Sequence, residues 1–250
     1  MVVVHKTYHL LLQRHKTKLK KGKIMYKNIE ILDKKKHAKI KFDGVDTLEV
    51  AKNIGIVPIG VDEVFEMSCI SPVIISAGEV GEFVAFTGVS KEVNIYTSTN
   101  KYMPKFLTTY PFLNILVNDE NNSLNTVVAI DNDTSYVAKD KKIFIFDKNE
   151  NLTKDADEKI AIIRALDRQR SVGKSIIKEL KENDLLLQKD FRVKSNDQET
   201  VLLKEFYIIN REKLAQLPDA TLALWAKKGW MGIIDAHTRS LNNFEKVLVS

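Results

Sequence analysis

The stretch with the clearest spacing for chemistry runs from Asp147 to Glu158, DKNENLTKDADE. Oxygen-bearing side chains fall at its positions 1, 3, 5, 9 and 12: Asp147, Asn149, Asn151, Asp155 and Glu158. A calcium loop uses that alternation, with a bidentate Glu at twelve. It also uses Gly at six, where this chain has Leu152, and a helix before it, where this chain has the strand-like run KKIFIF. The competing reading is a strand–turn–helix junction. Thr153 or Asp155 would then cap the helix, and the acids would favour its positive end. The two departures favour the junction. No cofactor is expected, with calcium the alternative.

Other groups invite chemistry and then lose it on geometry. His237 has Asp235 and Ser240 nearby, but residues two apart on a helix do not face each other, so Asp235 cannot orient the imidazole. His237 lies on an apolar stripe and reads as a satisfied core or interface histidine. RSVGKS (170–175) ends like a phosphate-binding loop but lacks the earlier glycine, position 168 being Arg168, and the preceding strand. An exposed helix break at Gly173 is expected instead. Cys69, the single cysteine, excludes an intrachain disulfide; between Met67 and Ile70 it reads as a small buried hydrophobe. No His/Cys cluster has metal-ligand spacing.

Those groups must be positioned by a chain of 250 residues that is 44% hydrophobic and 29% charged, ordinary globular composition. No apolar run reaches the ~18 residues of a membrane span, which excludes a permease. The formal charge is +6, but residues 1–24 hold seven bases and no acid, leaving 32 bases against 33 acids in the rest. The basicity belongs to the opening segment, and the remainder has no electrostatic footprint for nucleic acid. That segment is a poor signal peptide, because its charge follows its apolar patches and no small-residue cleavage site appears. In an AT-rich genome, Lys20–Met25 would read AAA AAA GGA AAA ATA ATG, a ribosome-binding sequence ahead of a start codon. Residues 1–24 are therefore read as a basic leader, untranslated or disordered, and 25–250 as a single α+β domain.

Periodicity from Met25 onward is β-rich first and helical later. Strands are expected at 37–42, 55–61, 92–97 and 141–147, the last with Phe144 and Phe146 on one face. Hairpins are expected over 72–89 and 114–131, and a short helix over 61–70 with Asp62 as its cap. Residues 155–189 have helical spacing. VLLKEFYIIN (201–210) returns to strand, Asn210 caps the next helix, and Pro218-Asp219 opens another. Trp230, Ile234, His237, Leu241, Phe244 and Leu248 form a helical stripe. The expected class is α+β: a mostly antiparallel sheet in the N-terminal half with C-terminal helices packed on it.

KYMPKFLTTYPF (101–112) packs two prolines and four aromatics into twelve residues. It could be a recognition surface or a rigid connector whose aromatics cap the sheet. Here a pattern assembles. Val57-Pro58 with Glu63 comes first, then Pro72-Val73, Gly88, and Asn94 with Tyr96. Tyr102, Pro104, Tyr110, Pro111 and Phe112 follow, then Phe146-Asp147, and finally Gly229, Ala236, His237, Ser240 and Leu241. In order and spacing this resembles the SapC family of bacterial proteins, named for a surface-array (S-layer) locus, from about Val57 to the C-terminus. The chain departs from the family at Thr108-Thr109, where members often carry Arg-Arg, and after Phe146-Asp147, where members usually carry Gly.

The resemblance implies a non-enzymatic accessory protein of the surface layer, acting through protein contacts. The partner would be a surface-array protein or its export machinery. Its candidate interaction residues are Glu63, Tyr102, Pro104, Tyr110, Pro111, Phe112, His237 and Ser240. The alternative is a cytoplasmic partner of an oxygenase-type modifying enzyme, or an enzyme with its own small-molecule pocket near Glu63, Tyr102 or His237. Without a signal peptide the expected compartment is the cytoplasm; export to the cell surface without a cleaved signal is the alternative.

Overall fold

The computed structural model describes residues 25–43, 46–97, 101–119, 123–132, 136–195 and 198–248; the leader expectation for residues 1–24 lies outside them. Along the chain come β1 (Ile29–Ile31), β2 (Lys41–Phe42), α1 (Thr47–Lys52), β3 (Ile56–Pro58), a 3-10 turn (Val61–Glu63), α2 (Val64–Ile70), β4 (Val73–Ile75) and β5 (Phe83–Phe86). Then follow a second 3-10 turn (Ile95–Thr97), α3 (Lys105–Thr108), β6 (Phe112–Asn118), β7 (Leu124–Asp131), β8 (Val137–Ala138), β9 (Ile143–Phe144) and α4 (Lys154–Glu182). The chain closes with β10 (Leu186–Ser195), β11 (Gln198–Ile209), α5 (Arg211–Leu214), α6 (Asp219–Lys227), α7 (Trp230–Ser240) and α8 (Phe244–Leu248). The class is α+β, with antiparallel sheets and C-terminal helices.

Two compact units share the chain. Among described residues the first takes 25–50 and 105–166, and the second takes 51–104 and 167–248. The first holds the antiparallel sheets β1-β7-β6 and β8-β2-β9. Phe42 and Phe112 meet edge-to-face at 5.1 Å in one of its cores, with Ile130, Ile145 and Ile163 around them. Tyr26 and Tyr110 meet at 5.4 Å in the other, with Leu113, Ile115 and Ala129. Each such apolar side chain contributes about 1.5–3 kcal/mol when fully buried.

The second unit holds the five-stranded antiparallel sheet β10-β11-β4-β5-β3. Phe244 stacks on Phe191 at 4.4 Å and touches Phe86 and Phe206 at 5.7 Å each. Helix α7 packs on α2 and on the sheet. The two expected hairpins, the helix over 64–70, the strand at 201–209 and the two later helices all stand. Asn210 accepts from the amides of Glu212 and Lys213, as an N-cap should.

Several expectations fail for local reasons. Strand β2 covers only Lys41–Phe42, because Asp33 Oδ1 accepts from the amides of Lys35 and Lys36 and folds 34–39 into turns. Residues 95–97 are a 3-10 turn rather than a strand: Asn94 Oδ1 accepts from the Tyr96 amide and Asn94 Nδ2 donates to the Ile54 carbonyl. Phe144 is 46% exposed and Phe146 buried, so they do not share a face; β9 ends where the Thr153 hydroxyl donates to the Phe144 carbonyl. Asp62 does not cap α2; Glu63 Oε2 accepts from the Gly60 amide instead. Cys69 is exposed, since Val64 and Met67 take the buried face of α2.

Gly173 does not break the helix. α4 is continuous, and a Cβ at Gly173 would lie 3.2 Å from both Phe83 and Val61. The glycine permits close packing. The helix does not reach residue 189: Asp184 takes a left-handed φ of 54°, the Leu185 amide returns to the Leu180 carbonyl, and β10 begins at Leu186.

Candidate functional site

In the second unit, the turn before α2 buries Glu63 completely. Its Oε2 accepts from the Gly60 amide at 3.0 Å and its Oε1 from the Tyr102 hydroxyl at 2.9 Å. The Tyr96 hydroxyl donates to the Tyr102 carbonyl at 3.0 Å, so two tyrosines and a glutamate form one hydrogen-bonded line. Burial, then the Glu63 charge and hydrogen bond, then Glu66 and Asp62, raise the Tyr102 hydroxyl above the ordinary tyrosine range. Burial and Glu63 do the same to Tyr96. Both stay neutral donors. Pro104 is buried just beyond.

His237 and Ser240 lie on the inner face of α7 and both are fully buried. The Ile209 amide of β11 donates to His237 Nε2 at 3.2 Å, which places the proton of the neutral ring on Nδ1. Nδ1 makes no hydrogen bond among the described residues. Burial drives the imidazole pKa down to about 4, and the nearby Val73 backbone offsets only part of that. The Val73 amide of β4 donates to Ser240 Oγ at 2.8 Å, and the Ser240 hydroxyl donates to the His237 carbonyl at 2.6 Å. Asp235 is exposed and pairs with Arg239 at 2.9 Å, so it does not serve His237.

In the first unit, Tyr110, Pro111 and Phe112 enter β6. The Tyr110–Pro111 bond is cis. The Tyr110 hydroxyl donates to Asp131 Oδ2 at 3.1 Å, and that buried carboxylate also accepts from the amides of Lys27 and Asn28. Phe112 is wholly inside the core. Lys159 Nζ donates to the carbonyls of Thr108 at 2.6 Å and Tyr110 at 3.3 Å, and burial lowers its pKa. The structure therefore brings Glu63 to Tyr102, His237 to Ser240, and Tyr110 to Asp131.

In the other candidate stretch, Asp147 Oδ1 accepts from the amides of Asn149 and Asn151, at 2.8 and 2.9 Å. Asp155 and Glu158 lie exposed on the first turns of α4, with Lys154 3.8 Å from Glu158. Among the described residues no three His, Cys, Asp or Glu side chains are grouped to hold a metal.

Sequence reasoning missed Asp131, Lys159 and the pairing of Glu82 with Arg170. Glu82, just before β5, and Arg170, on the buried side of α4, carried no local signal of their pairing. The Arg170 Nη2 donates to Glu82 Oε2 at 2.6 Å, and Lys174 lies 2.9 Å from Oε1. Burial opposes ionisation of Glu82, but the charge and hydrogen bonds of Arg170, then Lys174, outweigh it and hold the carboxyl below its ordinary range.

The architecture is that of an α+β protein with no described helix long and apolar enough to cross a membrane. A family model for SapC matches residues 32–247, nearly the whole chain, and the protein belongs to the SapC family. No curated protein and no solved structure matches it.

Proposed function

We propose that this protein is a non-enzymatic accessory of bacterial surface-layer production or display, acting through protein contacts with a surface-array protein or its export machinery. The observation that carries this reading is where the family-pattern side chains direct their polar atoms. Glu63, Tyr102, Tyr110, His237 and Ser240 each bond a main chain or a neighbouring side chain of the fold. Acid–base and nucleophilic chemistry need such groups held toward a substrate. Here they act as internal struts, and the surface-layer part of the reading is supported by membership of the SapC family, whose name comes from a surface-array locus.

The contact surface in this reading is the outer face of α2 and its preceding turn. Asp62, Phe65, Glu66 and Cys69 recur there at helical spacing, all exposed. Phe65, at 61%, is the most exposed large hydrophobic side chain among the described residues. Phe is among the residues enriched in protein contacts. The Glu63–Tyr102 bond holds the turn from which the helix starts.

The test is affinity recovery of the full chain from its native cells, in cytosolic and envelope fractions, beside the Phe65→Asp variant. A surface-array protein or its exporter should come down with the parent chain and be depleted with the variant. Recovery of a soluble oxygenase-type enzyme instead, or equal recovery by both chains, overturns the reading.

A further inference from the structure

A small cavity of about 150 Å³ opens in the second unit, and no residue of the family pattern lines it. Its walls come from the β4–β5 loop, the C-terminal end of α4 and the base of the β10–β11 hairpin. Ile75, Val80 and Leu186 make an apolar side; Ser76, Lys181, Asp184 and Tyr207 make a polar one. Two backbone features shape it. Gly81, at a φ of 79°, lets the loop fold back so tightly that a Cβ there would lie 2.9 Å from the Ser76 carbonyl. Asp184, in its left-handed conformation, turns the chain from α4 into β10 beside it.

Three groups on the polar side keep donor protons that the fold does not use. Ser76 Oγ accepts from the Glu82 amide at 3.1 Å, and its own proton meets no acceptor among the described residues. The Tyr207 hydroxyl likewise has no protein partner among them. Lys181 Nζ donates to the Glu79 carbonyl at 3.0 Å, which uses one of its three protons. The Asp184 carboxylate is already matched by Lys213. With Asp184 answered by Lys213, which lies outside the lining, the Lys181 ammonium makes no ion pair among the described residues.

We propose that this cavity binds a short-chain organic carboxylate, with its head on Tyr207, Ser76 and Lys181 and its tail on Ile75, Val80 and Leu186. The uncommitted protons of Ser76, Tyr207 and Lys181, and the ammonium that no carboxylate pairs, call for an anionic acceptor. The apolar wall calls for a hydrocarbon tail, which inorganic phosphate lacks. The volume restricts the tail, since drug-sized ligands need about 300 Å³ or more. This inference does not depend on the surface-layer reading, and no bond is made or broken in it.

The test is titration of the full chain with butanoate, followed by amide NMR shifts, with n-butylammonium as the charge control. Butanoate should shift Gly78, Val80 and Tyr207 saturably, while butylammonium should not. Tyr207→Phe, which keeps the ring and hence the packing, and Lys181→Met, on an exposed helix end, should each weaken binding about tenfold or more. Three results overturn the proposal: no saturable shift well beyond about 10 mM, equal shifts with butylammonium, or parent-like affinity in both variants.

Discussion

The hydroxyl of Tyr102 donates to the carboxylate of Glu63 across 39 positions of sequence, at 2.9 Å, with Glu63 completely removed from solvent. A hydrogen bond to a buried charged group contributes about 1.5–3 kcal/mol. Tyr102→Phe should therefore lower the free energy of unfolding by about that amount in urea denaturation. Adding Glu63→Gln should give a strongly non-additive cycle, because the two side chains share one bond. Additive losses would mean that they act separately.

His237 makes stability depend on pH in a set direction. Its folded pKa, about 4, lies below the ordinary 6.5, so the unfolded chain takes up the proton first as the pH falls. The contribution is unchanged above about pH 7 and is lost progressively from about 6.5 down to about 4, on the order of 3 kcal/mol in all. Denaturation at stepped pH should show this loss, and His237→Gln should flatten that part of the profile. An imidazole that titrates at its ordinary value by NMR would contradict it.

Glu82 and Arg170 present the opposite case. The folded carboxyl titrates below its ordinary value, so the pair's contribution is present above about pH 4.5 and lost as pH falls through the folded pKa. Arg170→Met should destabilise by about 3–5 kcal/mol, since it leaves Glu82 buried with only Lys174 beside it. Combining Arg170→Met with Glu82→Leu should recover much of the loss. A double variant as unstable as the single would show that the pair does more than neutralise itself.

Gly173 distinguishes a packing glycine from a hinge. In an unconstrained helix, Gly→Ala stabilises by about 1 kcal/mol. Here the added carbon would press on Phe83 and Val61. Gly173→Ala should forfeit that gain, and Gly173→Val should destabilise by about 1–3 kcal/mol. Thermal melts of the two variants decide.

What could be read from sequence was what local signals determine. Asn210, Pro218-Asp219 and the paired apolar runs of the two hairpins specify their own elements. What could not be read depended on distant partners. Nothing near Glu82 announces an arginine 88 positions away. Leu185, Leu186 and Leu187 fit either period, and the stop between helix and strand is an aspartate in a conformation that usually marks a glycine. The cysteine was misplaced because the rest of α2 sets which face is buried. At the candidate site, the order of the Tyr102, Tyr110 and His237 blocks was legible. Their inward bonds, Tyr110 to Asp131 above all, were not.

The sheet order β10-β11-β4-β5-β3 has a consequence for synthesis. Strand β4 leaves the ribosome with β5 as its neighbour on one side, but its other neighbour, β11, pairs through Tyr207 with Ile75 and is made about 130 residues later. At ordinary translation rates that is on the order of ten seconds. Through that interval the nascent chain carries an apolar strand edge, Val73–Ile75, with nothing yet to close it. The first unit is complete in sequence by residue 166 and can fold during that wait. The second unit is finished only when the C-terminal helices emerge, so a ribosome stalled between β9 and β11 would display an edge that invites pairing with another chain.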